Sequence, residues 1–211
     1  QKADTRLLYR LTMPNRCSWV TSDPLYIEYH DNEWGQPCFD DQRLFEMLIF
    51  EGLQAGLNWL TVLKKREAYR EAFFQFDPEA VALITPETVQ QHLANPQLIR
   101  NRLKMHAIVH NAKAYLRLRQ QHGAFSDYLW QFIDGEPRIN HWQHATDVPV
   151  MSPESKALSR DLKRHGFSFV GPTICYAYMQ AIGMVNDHTA DCFLATRREC
   201  NHGHIGKIRD Q

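Results

Sequence analysis

Residues 40–76 read DDQRLFEMLIFEGLQAGLNWLTVLKKREAYREAFFQF. Leu44, Phe45, Met47, Leu48 and Phe50 recur at helical spacing and form one apolar stripe, with Asp40 or Asp41 placed to cap it. A glycine-bearing hinge, Gly52-Leu53-Gln54-Ala55-Gly56-Leu57, follows. Asn58 through Phe76 then reads as a second helix with Leu60, Leu63, Tyr69 and Phe73 near one face. Outward from this pair the punctuation stays helical. Asp77-Pro78, Thr85-Pro86 and Ser152-Pro153 each set a capping side chain before a proline that suits the first helical position. Leu103 to Gln121 is a strong helix ended by Gly123, and Ser126 opens a short one over Asp127 to Ile133. The helix begun at Ser152-Pro153 stops at Gly166, and Thr173 to Ile182 is a further apolar helix ending near Gly183. Tyr26 to Tyr29 and Ser168 to Val170 are the only weak strand candidates, and there is no repeat. The pattern predicts an all-α, two-lobed helical bundle. The middle of the chain makes one lobe and the two ends complete the other.

Composition agrees with a folded domain. Of 211 residues, 44% are hydrophobic and 23% charged, too apolar for disorder and long enough for a large core. No run approaches the roughly 18 apolar residues of a membrane span, and the N-terminus, with Lys2, Asp4, Arg6 and Arg10, has no secretory apolar core. Five scattered cysteines without a CxxC do not form a secreted disulfide framework, so reduced thiols in the cytoplasm are expected. The chain starts with Gln, and residues 1–12 read as a leader, tag remnant or upstream extension. One domain over 13–195 and a tail over 196–211 follow from that reading, and a monomer suffices.

The net charge is zero, which argues against a nucleic-acid binder. The sum hides a segregation. Thr88 to Ser126 contains no acid but holds Arg100, Arg102, Lys104, Lys113, Arg117 and Arg119. Two readings stand open: a local basic surface for a polyanion, or a solvated helix face with its counter-charges on neighbouring elements.

Two further groups carry chemistry. His188 and Cys192 are four apart, on one face if helical, and Cys17 and His30 lie upstream. Two thiolates and two imidazoles complete a tetrahedral zinc set with no open position, hence a structural ion stapling the N-terminal segment to the C-terminal one; packed or idle side chains are the alternative. Cys38, Cys175 and Cys200 have no evident partner, and His202 and His204 either bind metal loosely or, the favoured reading, belong to a disordered tail. Between Trp19 and Trp59 the chain gathers Trp19, Tyr26, Tyr29, Trp34 and Trp59 with Asp31, Glu33 and Glu51. These residues fill a core or wall a pocket for a flat heterocycle. Glu51, just before the hinge, is the carboxylate placed to face a cleft or, equally, to sit at the surface.

These residues also carry a resemblance. Trp19-Val20 after Cys17, Asp23-Pro24-Leu25-Tyr26 and Tyr29-His30-Asp31-Asn32-Glu33-Trp34-Gly35 resemble the opening of the 3-methyladenine DNA glycosylase I family. So do Phe45-Glu46-Met47 and Glu51-Gly52 with Gln54-Ala55-Gly56-Leu57 and Trp59, then Thr61-Val62-Leu63-Lys64-Lys65-Arg66. Gly166-Phe167, Phe169-Val170-Gly171, Thr173-Ile174-Cys175-Tyr176, Met179-Gln180-Ala181 and Val185-Asn186-Asp187-His188 continue it, so the match runs over about residues 15–192.

The resemblance implies a helix-hairpin-helix DNA glycosylase that excises 3-methyladenine from alkylated double-stranded DNA and releases the free base. It implies a structural Zn2+ on Cys17, His30, His188 and Cys192. It places base binding on Tyr29, Glu51 and Trp59, with Trp34 and Trp19 as nearby walls, and catalysis on Glu51 and Tyr29. The DNA wedge falls on Gly56 and Leu57, and the hairpin on Leu98 to Lys104, where Arg100, Arg102 and Lys104 would hold phosphates. Leu53 stands where a Gln is frequent, the hairpin lacks Gly-x-Gly, and no catalytic Asp is evident, as in the family itself.

The chemistry fits those residues. A base inside a duplex has to be flipped out, at a few kcal/mol. Leu57 suits the gap, and Gly56 lets the backbone approach. The damaged base is a cation, so Trp59 stacks on it and Glu51 adds charge attraction and hydrogen bonds. Tyr29 orients Glu51 or contacts the base. Methylation weakens the glycosidic bond, so no general acid and no lysine Schiff base are expected. A non-catalytic lesion-binding module and an enzyme of free nucleobases remain the alternatives. A catalytic zinc hydrolase is disfavoured by the four filled ligand positions.

Overall fold

The computed structural model describes residues 14–196. The expected leader over 1–12, Cys200, His202 and His204, and nearly all of the tail lie outside the described residues. Helix α1 spans Pro24–Asn32, with the Asp23 carboxylate accepting from the Leu25 N–H and Pro24 in the first turn. Tyr26 to Tyr29 lie inside it, so the strand reading there is overturned; an Asp-Pro cap outweighs four residues of strand-prone composition.

Helix α2 spans Asp41–Gln54, capped by Asp40, and is buried from Leu44 through Leu53. Helix α3, Trp59–Ala72, is capped by Asn58. The sequence pattern carried that helix on to Phe76, but it stops at Ala72. Phe74, Gln75 and Phe76 all adopt positive φ, at 53°, 55° and 58°. This turn tucks Phe73 and Phe76 into the core and leaves Phe74 outside. Burial of two rings outweighs the left-handed cost at three residues.

Helices α4, Pro78–Ala82, and α5, Pro86–Ala94, start at the Asp-Pro and Thr-Pro junctions. Helix α6 spans Arg102–His122 and ends at Gly123. Helix α7 is Phe125–Trp130, extended by a 3-10 turn over Gln131–Ile133. Its expected opener, Ser126, is not its cap. Asp41 of α2 accepts from the Phe125 and Ser126 N–H groups at 2.9 Å each. Helix α8, Pro153–Arg164, begins in a Ser152 capping box, and α9 spans Pro172–Ala181.

Ser168 to Val170 forms no strand. Phe169 is left-handed at φ 57°, and Asn111 bonds both the N–H and the carbonyl of Ser168. What strand there is among the described residues is a short parallel pair, β1 Arg138–Ile139 with β2 Val185–Asn186. It joins the chain after α7 to the segment just before His188. Helix α2 is the centre of the architecture, packed by α3, α6, α7 and α9. The Tyr178 hydroxyl of α9 donates to the Leu44 carbonyl of α2 at 2.8 Å. The described residues are therefore mostly helical, as the periodicity predicts. None of their helices is long and apolar enough to cross a membrane.

Candidate active site and metal cluster

Three elements meet at one opening. The last turns of α2 bring Glu51, the end of α1 brings Tyr29, and the start of α3 brings Trp59. The segments flanking α1 add Trp19 and Trp34. Together these residues line a solvent-open cavity of about 390 Å³, the size of a small heterocycle site. The rings stand in two pairs. Tyr29 and Trp59 are tilted at 5.3 Å between centroids, and Trp19 meets Trp34 edge-on at 5.0 Å. Of the eight aromatic and acidic residues gathered between Trp19 and Trp59, Tyr26 joins these five at the cavity, while Asp31 pairs with Arg16 and Glu33 with Arg66 away from it.

Two polar groups stand out in that lining. Tyr29 is 2% exposed and Glu51 4%, and among the described residues neither the hydroxyl nor the carboxyl makes a hydrogen bond; both residues line the cavity. Tyr29 therefore does not orient Glu51 through a hydrogen bond. Folded cores rarely leave such groups unpaired, because each costs about 1–3 kcal/mol. The indole N–H of Trp59 is likewise buried with no acceptor. A second carboxylate at the cavity, Asp187, is the opposite case. It accepts from Asn140, Trp142, Tyr176 and Gln180 at 2.7–2.8 Å, and it is a structural anchor. Gln54 also lines the cavity, and its Nε2 donates to the Leu57 carbonyl. No spacing rule marks Asn140, Trp142 or Gln54 as site residues; only tertiary contact does.

Burial pushes the Glu51 carboxyl up to about 8. In the empty cavity this shift favours the protonated carboxyl at neutral pH, which offers a neutral donor–acceptor pair. The same shift has a stability consequence. Glu51 keeps its proton in the fold up to about pH 8 but ionises near 4.5 when unfolded. Stability from this group is intact below 4.5 and falls as pH rises towards 8, by up to about 1.4 kcal/mol per unit. Glu51→Gln should therefore melt several degrees above the parent at pH 8 and level with it near pH 4.5. A gap independent of pH, read by calorimetry, would show that Glu51 ionises freely in the fold.

The basic stretch divides. Arg100 and Arg102 are exposed at the turn between α5 and α6 and make no ion pair among the described residues. Arg119 instead pairs with Glu79 of α4, the neighbouring counter-charge of the solvated-face reading. Lys104, expected to hold phosphate, is a correction. It is 7% exposed and turned inward, its Nζ donating to the Leu53 and Ala55 carbonyls. The carbonyls at the end of α2 hold the ammonium away from solvent. Gly56, at φ 77° with open space around it, and half-buried Leu57 form the loop between α2 and α3.

Beside the cavity, Cys17, His30, His188 and Cys192 are all buried, and their ligand atoms lie within 4.8 Å of one another. Sulfur–nitrogen separations are 3.4–3.5 Å. Neighbouring S and N ligands of a tetrahedral zinc ion stand about 3.6 Å apart, so the cluster fits one metal ion. The outer nitrogens are held as metal-bound histidines require. His30 Nδ1 lies 2.7 Å from Asp31 Oδ1, itself paired with Arg16, and His188 Nε2 lies 3.3 Å from the Trp34 carbonyl. Gly35, at φ 75°, leaves the room beside His188 that a Cβ would fill at 3.0 Å.

A helical protein with an exposed basic turn and an open aromatic slot has the architecture of a site for a flat heterocycle. Comparison makes the class specific. The methyladenine glycosylase family profile matches residues 19–195. DNA-3-methyladenine glycosylase of Haemophilus influenzae is 51% identical over 180 residues, 85% of this chain and 97% of that protein. DNA-3-methyladenine glycosylase 1 of Escherichia coli K12 is 50% identical over 177 residues, 84% of this chain and 95% of that one. A crystal structure of a tyrosine-to-phenylalanine variant of 3-methyladenine DNA glycosylase I with 3-methyladenine superposes with a TM-score of 0.84. It is 40% identical and covers 87% of this chain and 98% of its own. The chain belongs to the methyladenine glycosylase family of DNA repair enzymes.

Proposed function

We propose that the protein hydrolyses the N-glycosidic bond of 3-methyladenine in alkylated double-stranded DNA and releases the free base. It acts as a cytoplasmic monomer with one two-lobed domain over residues 13–195. The observation that carries this reading is the unpaired Tyr29 hydroxyl and Glu51 carboxyl, both buried and both opening on the same aromatic cavity. A purine edge carries the ring nitrogen and amino group that would satisfy them. The nucleotide leaves the helix, Leu57 fills the gap, and Arg100 and Arg102 hold phosphates without reading sequence.

In the cavity Trp59 stacks on the base, gaining about 0.5–2 kcal/mol when the base is a cation. Neutral Glu51 donates to a ring nitrogen and accepts from the amino group. Selection of damage then rests on the stacked cation and on the weakened bond. The methylated base departs uncharged, so no group need protonate it. The remaining barrier is the developing positive charge on the sugar and the entry of water. No lysine lines the cavity among the described residues, which supports a monofunctional hydrolase without a Schiff base.

The residues present also suit a structural zinc on Cys17, His30, His188 and Cys192. It would supply a cross-link between residues 17 and 192 and no open position for chemistry. The test is a methylated duplex incubated with excess and with limiting enzyme. Multiple turnovers of free 3-methyladenine, no strand cleavage and no borohydride-trapped adduct are expected. Binding without base release would identify a lesion-binding module instead.

A further inference from the structure

The first turn of α6 carries a base where its own helix dipole favours an acid. What Lys104 meets instead is the negative end of α2. Its Nζ lies 2.7 Å from the Leu53 carbonyl and 2.5 Å from that of Ala55. The same short segment is tied once more by Gln54, whose Nε2 donates to the Leu57 carbonyl at 2.9 Å. The Leu57 N–H in turn donates to the Gln54 carbonyl at 2.7 Å. Gly56, between these ties, has open space on the side where a Cβ would stand.

At its other end Lys104 belongs to the hairpin. Its backbone N–H donates to the Asn101 side chain, one residue after Arg100 and one before Arg102. The hairpin is docked in turn on α3, where Lys65 donates to the Pro96 and Gln97 carbonyls and Tyr69 accepts from the Ile99 N–H. One buried side chain thus spans from the turn that carries Arg100 to the loop that carries Leu57.

We propose that Lys104 is a positioning residue that holds the 53–57 segment against the hairpin, so that backbone docking and insertion of Leu57 act as one unit. This rests on the reading of Leu57 as the residue that fills the gap left by the flipped base. Without Lys104 the two carbonyls lose their donor and the loop loosens, Gln54 with it, while the aromatic walls, none of them within residues 53–57, stay in place.

The test compares Lys104→Met, Leu57→Ala and the double variant in the full chain. Three quantities are read: affinity for an abasic-site duplex, binding of free 3-methyladenine by tryptophan fluorescence, and melting temperature. Lys104→Met should weaken abasic-duplex binding about tenfold and leave free-base binding within about twofold. The double variant should be no weaker than Leu57→Ala alone, because both act through one contact. Should Lys104→Met fold poorly, Lys104→Gln, which keeps one donor, should show a smaller loss with the same non-additivity. Undiminished abasic-duplex binding in Lys104→Met or Lys104→Gln beside a weakened Leu57→Ala overturns the role of Lys104 alone. So do losses that multiply in the double variant. Undiminished binding in Leu57→Ala overturns the gap-filling reading, and the proposal falls with it.

Discussion

Glu51→Ala should lower release of 3-methyladenine from methylated duplex about a hundredfold and leave abasic-duplex affinity within about twofold. Two hydrogen bonds to the purine edge vanish, and the groups left unpaired in a closed slot cost about 1–3 kcal/mol each. The abasic duplex has no base to place in the slot, so under the proposed function its binding rests on Leu57 and the turn before α6 instead. Glu51→Gln keeps a donor and an acceptor on the same stem and should fall between the parent and Glu51→Ala. If Gln were as poor as Ala, the carboxylate charge would be essential. The neutral form favoured by burial would then be the wrong one.

Cys192→Ser should reduce zinc content from about one ion per chain to near zero and lower the melting temperature by ten degrees or more. Structural zinc sites carry about 10–16 kcal/mol of binding free energy in small domains. Part of that is lost here as coupling between residues 17–30 and 188–192, which the cluster closes on each other. Cys38→Ser should change neither quantity, since Cys38 lies apart from the four ligands. Elemental analysis with calorimetry reads both. A wild-type protein without stoichiometric metal, or one indifferent to chelator, would contradict the zinc reading.

The helix starts were legible because their signals are local. Asp40, Asp77, Thr85 and Ser152 each cap a helix within a few residues of themselves. Where a cap comes from afar, the pattern misleads. Helix α7 takes its cap from Asp41, 84 residues upstream of Phe125, and not from Ser126. The same holds for Lys104. Its neighbours in sequence are exposed bases, and only the fold supplies the two carbonyls that draw it inward. Left-handed Phe74, Gln75 and Phe76 carry no glycine to announce the turn. At the site, residue types and chain order brought Tyr29, Glu51 and Trp59 to notice. The sequence could not show that Glu51 is buried without a hydrogen-bond partner, because that follows from tertiary packing.

The most direct measurement is a crystal structure with 3-methyladenine soaked in. The base should stack on Trp59, with its edge within hydrogen-bond distance of the Glu51 carboxyl and the Tyr29 hydroxyl. A base bound elsewhere, or a cavity that stays closed to it at millimolar concentration, would contradict the account.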